Sequence, residues 1–157
     1  MSGLAHMSEL QQREAVVAEA RSWIRTPYHH HARIKGAGVD CAMLPVAVYS
    51  ACGLMPPDQD FGAYPTQWHL HHDEEVYLGI VLSYAREIGG PPQPGDFTLW
   101  RFGRAFSHGG IVTAWPRVVH SYIGRGVYEE DTAIGADFLL KDGSPRLRRF
   151  FTLWGER

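Results

Sequence analysis

Cysteine and histidine carry the reactive chemistry open to this chain, which has two cysteines, Cys41 and Cys52, and nine histidines among 157 residues. Cys41 follows the loop Gly36-Ala37-Gly38-Val39-Asp40 and heads an apolar stretch that reads as a helix over Cys41–Cys52. Asp40 suits the N-cap and Gly53 the position just past the end. Unpaired N–H groups and the helix dipole at such an N-terminus favour a thiolate, and a thiolate beside a base is a nucleophile. The expectation is a Cys41 pKa below the free value of ~8.5. The plainer reading of a cysteine at a helix start is an inert buried residue. Cys52 sits at the opposite end, where the dipole disfavours a thiolate. Eleven residues at ~1.5 Å rise put the two Cα atoms roughly 16 Å apart, beyond the ~7 Å that a disulfide spans. Two separate thiols are therefore expected, as in a reducing compartment or an assembled particle.

A base for Cys41 has two candidates. His108 opens a strand in Ser107-His108-Gly109-Gly110-Ile111-Val112, where the glycines let something bulky approach the imidazole. A solvent-facing strand end is the alternative for this segment. His120 lies in Val118-Val119-His120-Ser121-Tyr122, among apolar neighbours, and a buried imidazole there needs a partner. Cysteine, histidine and a third polar residue make a nucleophilic triad, but only if both imidazoles leave the sheet on one face. A regular two-residue turn at Trp115-Pro116 would pair residue 120 with 111 and put them on opposite faces. The triad thus predicts an odd-length loop or a β-bulge that pairs His120 with 110 or 112.

Six of the other seven histidines cluster, as His29-His30-His31 and as His69, His71 and His72. Three adjacent loop histidines cannot converge on one ion, and on a helix His69 and His72 share a face while His71 points away. The first group reads as a solvated or substrate-facing loop and the second as surface or packing residues. Cysteine chemistry needs no metal-bound water, so neither metal nor cofactor is expected. Arg146, Arg148 and Arg149 could face an anionic glycan; solvated charges on an edge strand are the plainer reading.

The elements that must position these residues follow from periodicity. A helix over Ser8–Arg25 starts with a Ser8/Gln11 capping box and carries an apolar stripe of Leu10, Val17, Ala20 and Ile24, widened by Val16 and Trp23. Thr26-Pro27 stops it, and Tyr28–Val39 is a loop. Pro45 is awkward inside the second helix, because it falls beyond the positions where a missing N–H is harmless. Tyr64–Ile88 reads mostly as a third helix. Strands are predicted at Asp96–Phe102, Ser107–Trp115, Arg117–Ile123, Gly126–Glu130 and Leu147–Leu153. Helices first and an antiparallel sheet second is the α+β pattern, and the length suits one domain, with 55–90 as a helical insertion between nucleophile helix and sheet.

Composition narrows the partners. The net charge is −2, without the basic footprint of a nucleic-acid binder. No apolar run approaches the ~18 residues of a spanning helix, and the N-terminus lacks the pattern of a secretory signal.

Taken in order, Thr26-Pro27-Tyr28, Gly38-Val39-Asp40-Cys41, Pro94-Gly95-Asp96-Phe97, His108-Gly109-Gly110-Ile111-Val112 and Val119-His120-Ser121 resemble the NlpC/P60 family of cell-wall peptidases. The resemblance covers most of the chain from Trp23 onward. Residues 64–71, Tyr-Pro-Thr-Gln-Trp-His-Leu-His, look like the branch found in phage tails and gene-transfer particles. The resemblance implies a circularly permuted papain-like fold and cysteine-dependent cleavage of peptidoglycan stem peptides, often between γ-D-glutamate and a diamino acid. It implies Cys41 as nucleophile, His108 as base and His120 as the residue orienting it, with Tyr28, Asp40 and Ser107 at the substrate. The family usually has Ser-Gly after the cysteine; here Ala42-Met43 stands instead. The resemblance further implies delivery by phage tail-tip proteins and residence in the virion tail, with Met55–Gly90 as the docking segment through Phe61, Tyr64 and Trp68. A structural tail component with a vestigial or binding-only cleft, or an interbacterial amidase toxin, are the alternative functions.

Overall fold

The computed structural model describes residues 6–57, 59–62 and 75–155. Its first helix, α1 (Glu9–Ser22), begins with the predicted capping box: Ser8 accepts from the Gln11 amide and the Gln11 side chain accepts from the Ser8 amide. The buried face keeps Val16, Ala20 and Trp23 of the apolar stripe but not Leu10. It runs Arg13, Val16 and Ala20 and continues to Trp23, whereas Leu10 is 66% exposed. Arg13 takes a core position because its charge is fully met there. Its guanidinium donates to the Pro94 carbonyl and, at 2.9 Å, to the buried Asp96 carboxylate, and it lies 4.1 Å over the Trp154 ring. Breaking such a buried pair by removing one partner is far costlier than losing a surface ion pair.

The loop after α1 folds back into a small hairpin, β1 (Arg33–Ile34) against β2 (Gly38–Val39). Helix α2 spans Met43–Ala51. It therefore starts two residues later than expected, and Cys41 lies in the turn ahead of it. Asp40 still caps the end: its Oδ1 accepts the Ala42 and Met43 amides at 3.1 and 2.8 Å, and its carbonyl accepts Leu44 N. Counted from Met43, Pro45 is the third helical residue; just before it Leu44 N still reaches the Asp40 carbonyl, and the missing Pro45 N–H interrupts that ladder. What Pro45 does leave is an acceptor without its next-turn donor, the Cys41 carbonyl. The Tyr77 hydroxyl, from α3 (Val76–Leu82), donates to that oxygen. Gly109 makes room for it, since a Cβ there would sit 2.9 Å from the Tyr77 oxygen and 2.4 Å from the Phe97 ring.

Tyr64–Ile88 is not one helix. Residues 63–74 lie outside the described residues; α3 ends at Leu82, and Arg86–Ile88 forms a strand, β3. Five further strands match the predicted ones within one or two residues: β4 (Phe97–Phe102), β5 (Ala105–Ala114), β6 (Arg117–Tyr122), β7 (Gly126–Asp131) and β8 (Arg148–Thr152). They form one antiparallel sheet of six strands, in the order β3-β8-β4-β5-β6-β7, where five were expected. Strand β8 is thus an interior strand, flanked by β3 and β4, and the edge assigned to it belongs to β3.

The helices cover one face of this sheet, packing on Phe97, Leu99, Ile111, Val119, Val127 and Phe151. The opposite face carries Trp100, Val112 and Val118, covered by Phe138 from a 3-10 turn at Ala136–Phe138. This is the expected α+β arrangement. No helix among the described residues is long and apolar enough to cross a membrane.

The Pro45–Tyr77 compensation makes a measurable prediction. Tyr77→Phe keeps the ring and strands the Cys41 carbonyl, so unfolding in urea should show a loss of about 1–3 kcal/mol. Pro45→Ala restores a backbone donor to the same oxygen. In that background Tyr77→Phe should cost less than about half as much, a coupling that a double-mutant cycle reads directly. Equal costs in both backgrounds would refute the account.

Candidate active site

The turn that holds Cys41 is pinned from three directions. Val39, two residues earlier, donates to the Pro27 carbonyl and accepts from His29 N and from the Ser121 hydroxyl of β6. Asp40, 1% exposed, accepts the Ala42 and Met43 amides on one oxygen and the His31 amide, at 2.7 Å, on the other. His30 Nδ1 stands 3.9 Å from that second oxygen. The carboxylate thereby knits the histidine loop to the turn of Cys41. Tyr28 pairs with Val39 through a parallel bridge. Its phenol pKa is pushed up, first by burial and then by the negative charges of Cys41 and Asp40, as its place beside both requires.

Two bulges shape the strand β5, which carries Ser107 next to this turn. Between β4 and β5, Trp100 pairs with His108 but Arg101 with Phe106, leaving Ser107 as the extra residue. Its carbonyl oxygen lies 3.9 Å from Cys41 Sγ, and its hydroxyl is buried without a hydrogen-bond partner. Between β5 and β6, Val112 pairs with Val118 but Ala114 with Arg117, so Thr113 is bulged. That is the irregularity the sequence argument demanded. It sets His120 across from Gly110, on the face of His108, and a Cβ on Gly110 would sit 3.2 Å from that of His120. His108 Nε2 and His120 Nδ1 are 2.8 Å apart, and His120 is fully buried. Aromatic rings of Trp100, Phe102, Tyr122, Tyr128 and Phe138 enclose the pair.

One residue of the constellation was not read from the sequence. Glu130 Oε1 lies 2.9 Å from His120 Nε2 and accepts from the Tyr128 hydroxyl at the same distance. The signal was present in register: the turn at Gly124 pairs His120 with Tyr128, and period two carries residue 130 to the same face. Burial pushes the Glu130 carboxyl up, but the hydrogen bonds from His120 and Tyr128 outweigh it and hold its pKa below the usual value.

The electrostatics of Cys41 correct an expectation. Burial raises its pKa well above that of a free thiol, and the Asp40 charge raises it further. The amides of Cys41 and Ala42 act in the predicted direction but are outweighed. Cys52, buried and outside any disulfide like Cys41, is pushed up to about 11, chiefly by burial. Desolvation, which the helix-end argument omits, decides both cases.

The remaining candidates separate. His31 Nε2 lies 2.8 Å from the Gly62 carbonyl, so the His29–His31 loop is partly tied down. His31, Arg33, Met43, Gln59, Asp60 and Phe61 line a cavity of about 270 Å³, where Arg33 keeps one buried nitrogen, Nη1, without a partner. Among the described residues no three His, Cys, Asp or Glu side chains are grouped to hold a metal ion. His69, His71, His72, Tyr64 and Trp68 lie outside the described residues. Phe61, expected to be exposed, packs 6.1 Å from the Tyr84 ring. Arg149 forms a two-pronged pair with Glu87 of β3, Arg146 donates to the Asp137 carbonyl and covers Phe102, and Arg148 lies over Trp115. These arginines are bound to their own sheet.

The sequence matches no protein-family profile and no curated protein. Among solved structures, the fold is similar to the NlpC/p60 domain of the peptidoglycan hydrolase SagA, with a TM-score of 0.58 and 20% identity over 87% of this chain and 96% of that one. At that identity the likeness establishes the fold.

A buried thiol with a raised pKa should titrate late. In a Cys52→Ser variant, iodoacetamide modification of Cys41, followed by peptide mass mapping, should rise about tenfold per pH unit from pH 6 to 9. A plateau near pH 6–7 would reveal a resting thiolate instead.

Proposed function

We propose that this protein is a cysteine endopeptidase of peptidoglycan stem peptides, with Cys41 as nucleophile, His108 as base and His120 as the residue that orients it. The observation that carries the reading is the buried His108–His120 hydrogen bond at 2.8 Å, beside a thiol held against Ser107. A core histidine pair alone needs no cysteine, and a packing cysteine needs no imidazole pair. The NlpC/p60 fold and the family resemblance of the motifs supply the substrate class.

The raised thiol pKa fits proton transfer during attack rather than a resting ion pair. As Cys41 sulfur bonds to the scissile carbonyl carbon, His108 takes the thiol proton. The C–N bond then breaks and the departing amine receives that proton, leaving a thioester. Water, deprotonated by His108, attacks the thioester; the C–S bond breaks and the thiol is restored. The Tyr28 phenol stays protonated through neutral pH and, with the Cys41 amide, is a donor for the developing oxyanion. The unpartnered Ser107 hydroxyl is suited to a substrate amide. Asp40 acts by holding the turn, since both its oxygens are engaged by backbone amides. A γ-linked D-glutamate keeps a free α-carboxylate, and Arg33 offers a charge of opposite sign beside Met43.

Delivery to the wall by a phage tail tip, with residence in the virion, belongs to the same proposal and rests on the resemblance of residues 64–71 to tail-associated members. Nothing in the described structure favours the structural-component or toxin reading over hydrolysis.

The test is digestion of purified sacculi with mass spectrometry of the released muropeptides. New amino termini at the diamino acid are expected, unaffected by a chelator. Cys41→Ala and His108→Ala should each lower the rate by about a thousandfold or more. Wild-type protein that releases nothing, or Cys41→Ala protein that matches it, would end the proposal.

A further inference from the structure

Glu130 has no part in the three-residue assignment, yet it closes the far end of it. We infer that Glu130 is a positioning residue that fixes the tautomers of both imidazoles, making a relay Cys41–His108–His120–Glu130 in which His108 can accept a proton only at Nδ1. The inference rests on the reading of His108 as base.

A hydrogen bond between two neutral imidazoles has two nearly equivalent forms. His108 Nε2–H can donate to His120 Nδ1, or His120 Nδ1–H can donate to His108 Nε2. Only the first leaves the His108 lone pair on Nδ1, the ring nitrogen not engaged with His120. In the second, Nδ1 carries a hydrogen and cannot take one from a thiol. The pair itself does not choose between them. A carboxylate does, because it only accepts. With Glu130 Oε1 at 2.9 Å, His120 must keep its hydrogen on Nε2; Nδ1 is then an acceptor, and His108 must donate from Nε2. The reverse tautomer would set a lone pair against the carboxylate at an imidazole that is itself fully buried.

The surroundings hold Glu130 in that role. The Tyr128 hydroxyl donates to the same oxygen, and Arg125 donates to Tyr128 while pairing with Asp137. Tyr122, which donates to Asp137, packs 6.0 Å from the His120 ring. The second carboxylate oxygen rests on Gly135, where a Cβ would sit 2.5 Å away. Charge follows the same line. When His108 is protonated it donates to His120, and His120 to the carboxylate, so the negative end of the relay stabilises the imidazolium. Without that charge His108 holds a proton less firmly.

Nitrogen-15 histidine spectra of the full chain read the tautomers whether or not the protein is hydrolysing anything. At neutral pH both His108 and His120 should carry hydrogen on Nε2 only. In Glu130→Gln, both should shift to a mixture or to the reverse form. The kcat on a stem peptide should fall about 10–100-fold with KM little changed, and the acid limb of the pH–rate profile should move to lower pH. Gly135→Ala, which displaces the carboxylate without removing it, should move all three readouts the same way and serves if Glu130→Gln does not fold. Hydrogen on His108 Nδ1 in the wild type, or unchanged tautomers in the variants, would overturn the relay while leaving the endopeptidase reading intact. The expected tautomers in a protein that cleaves no stem peptide would uphold the relay and sink that reading.

Discussion

Two imidazoles on adjacent strands can share a hydrogen bond only if both side chains leave the sheet on one face and at matching height, and a regular hairpin between His108 and His120 denies both conditions. The bulge at Thr113 supplies the missing residue of register, and much of the local sequence follows from it. Gly110 is bare because a Cβ there would crowd Val118 and the His120 Cβ. Gly109 points to the other face and is bare for a different reason, the Tyr77 hydroxyl and Phe97 ring beneath it. The second bulge, at Ser107, turns a carbonyl toward the thiol. Bulges next to reactive residues commonly re-aim one side chain while the rest of the ladder stays intact. Here two of them, six residues apart on one strand, let a flat ladder serve a three-dimensional constellation.

The thiol side is governed by a buried carboxylate. Asp40 ties three backbone amides from two segments and so makes one rigid unit of the histidine loop and the start of α2. The same charge opposes ionisation of its neighbour Cys41. Positioning and activation therefore pull against each other at adjacent residues. In the proposed reaction a neutral thiol needs a base with its lone pair correctly placed, so activation would fall to the imidazoles.

Much of this was legible in the sequence, for reasons that can be named. Period-two patterns bounded by Gly and Pro marked five strands, Ser8 with Gln11 marked a helix start, and the same-face requirement located the irregular hairpin. The failures share a cause, which is that the deciding partner is remote in sequence. Leu10 belongs to the apolar stripe by spacing, but Arg13 takes the core position because Asp96 and Trp154 receive it. Arg86–Ile88 carries no strand pattern of its own and is extended because β8 pairs with it. Glu130 is an ordinary strand glutamate until the β6–β7 register sets it under His120. The Cys41 pKa went the opposite way because a dipole is visible in a local pattern and desolvation is not.

The interior place of β8 has a consequence for how the molecule is made. Strands β4 to β7 are joined by short connections and can zip together as each leaves the ribosome. β3, synthesised before any of them, has no partner in the sheet except β8, which is synthesised after all of them. Until β8 emerges, residues 86–88 have no partner in the sheet and the outer edge of β4 presents unpaired backbone, so the nascent chain passes through a stage with an open edge that the finished sheet lacks. Such edges are where other chains pair. Insertion of β8 between β3 and β4 is a late, long-range event that converts an incomplete ladder into a continuous one.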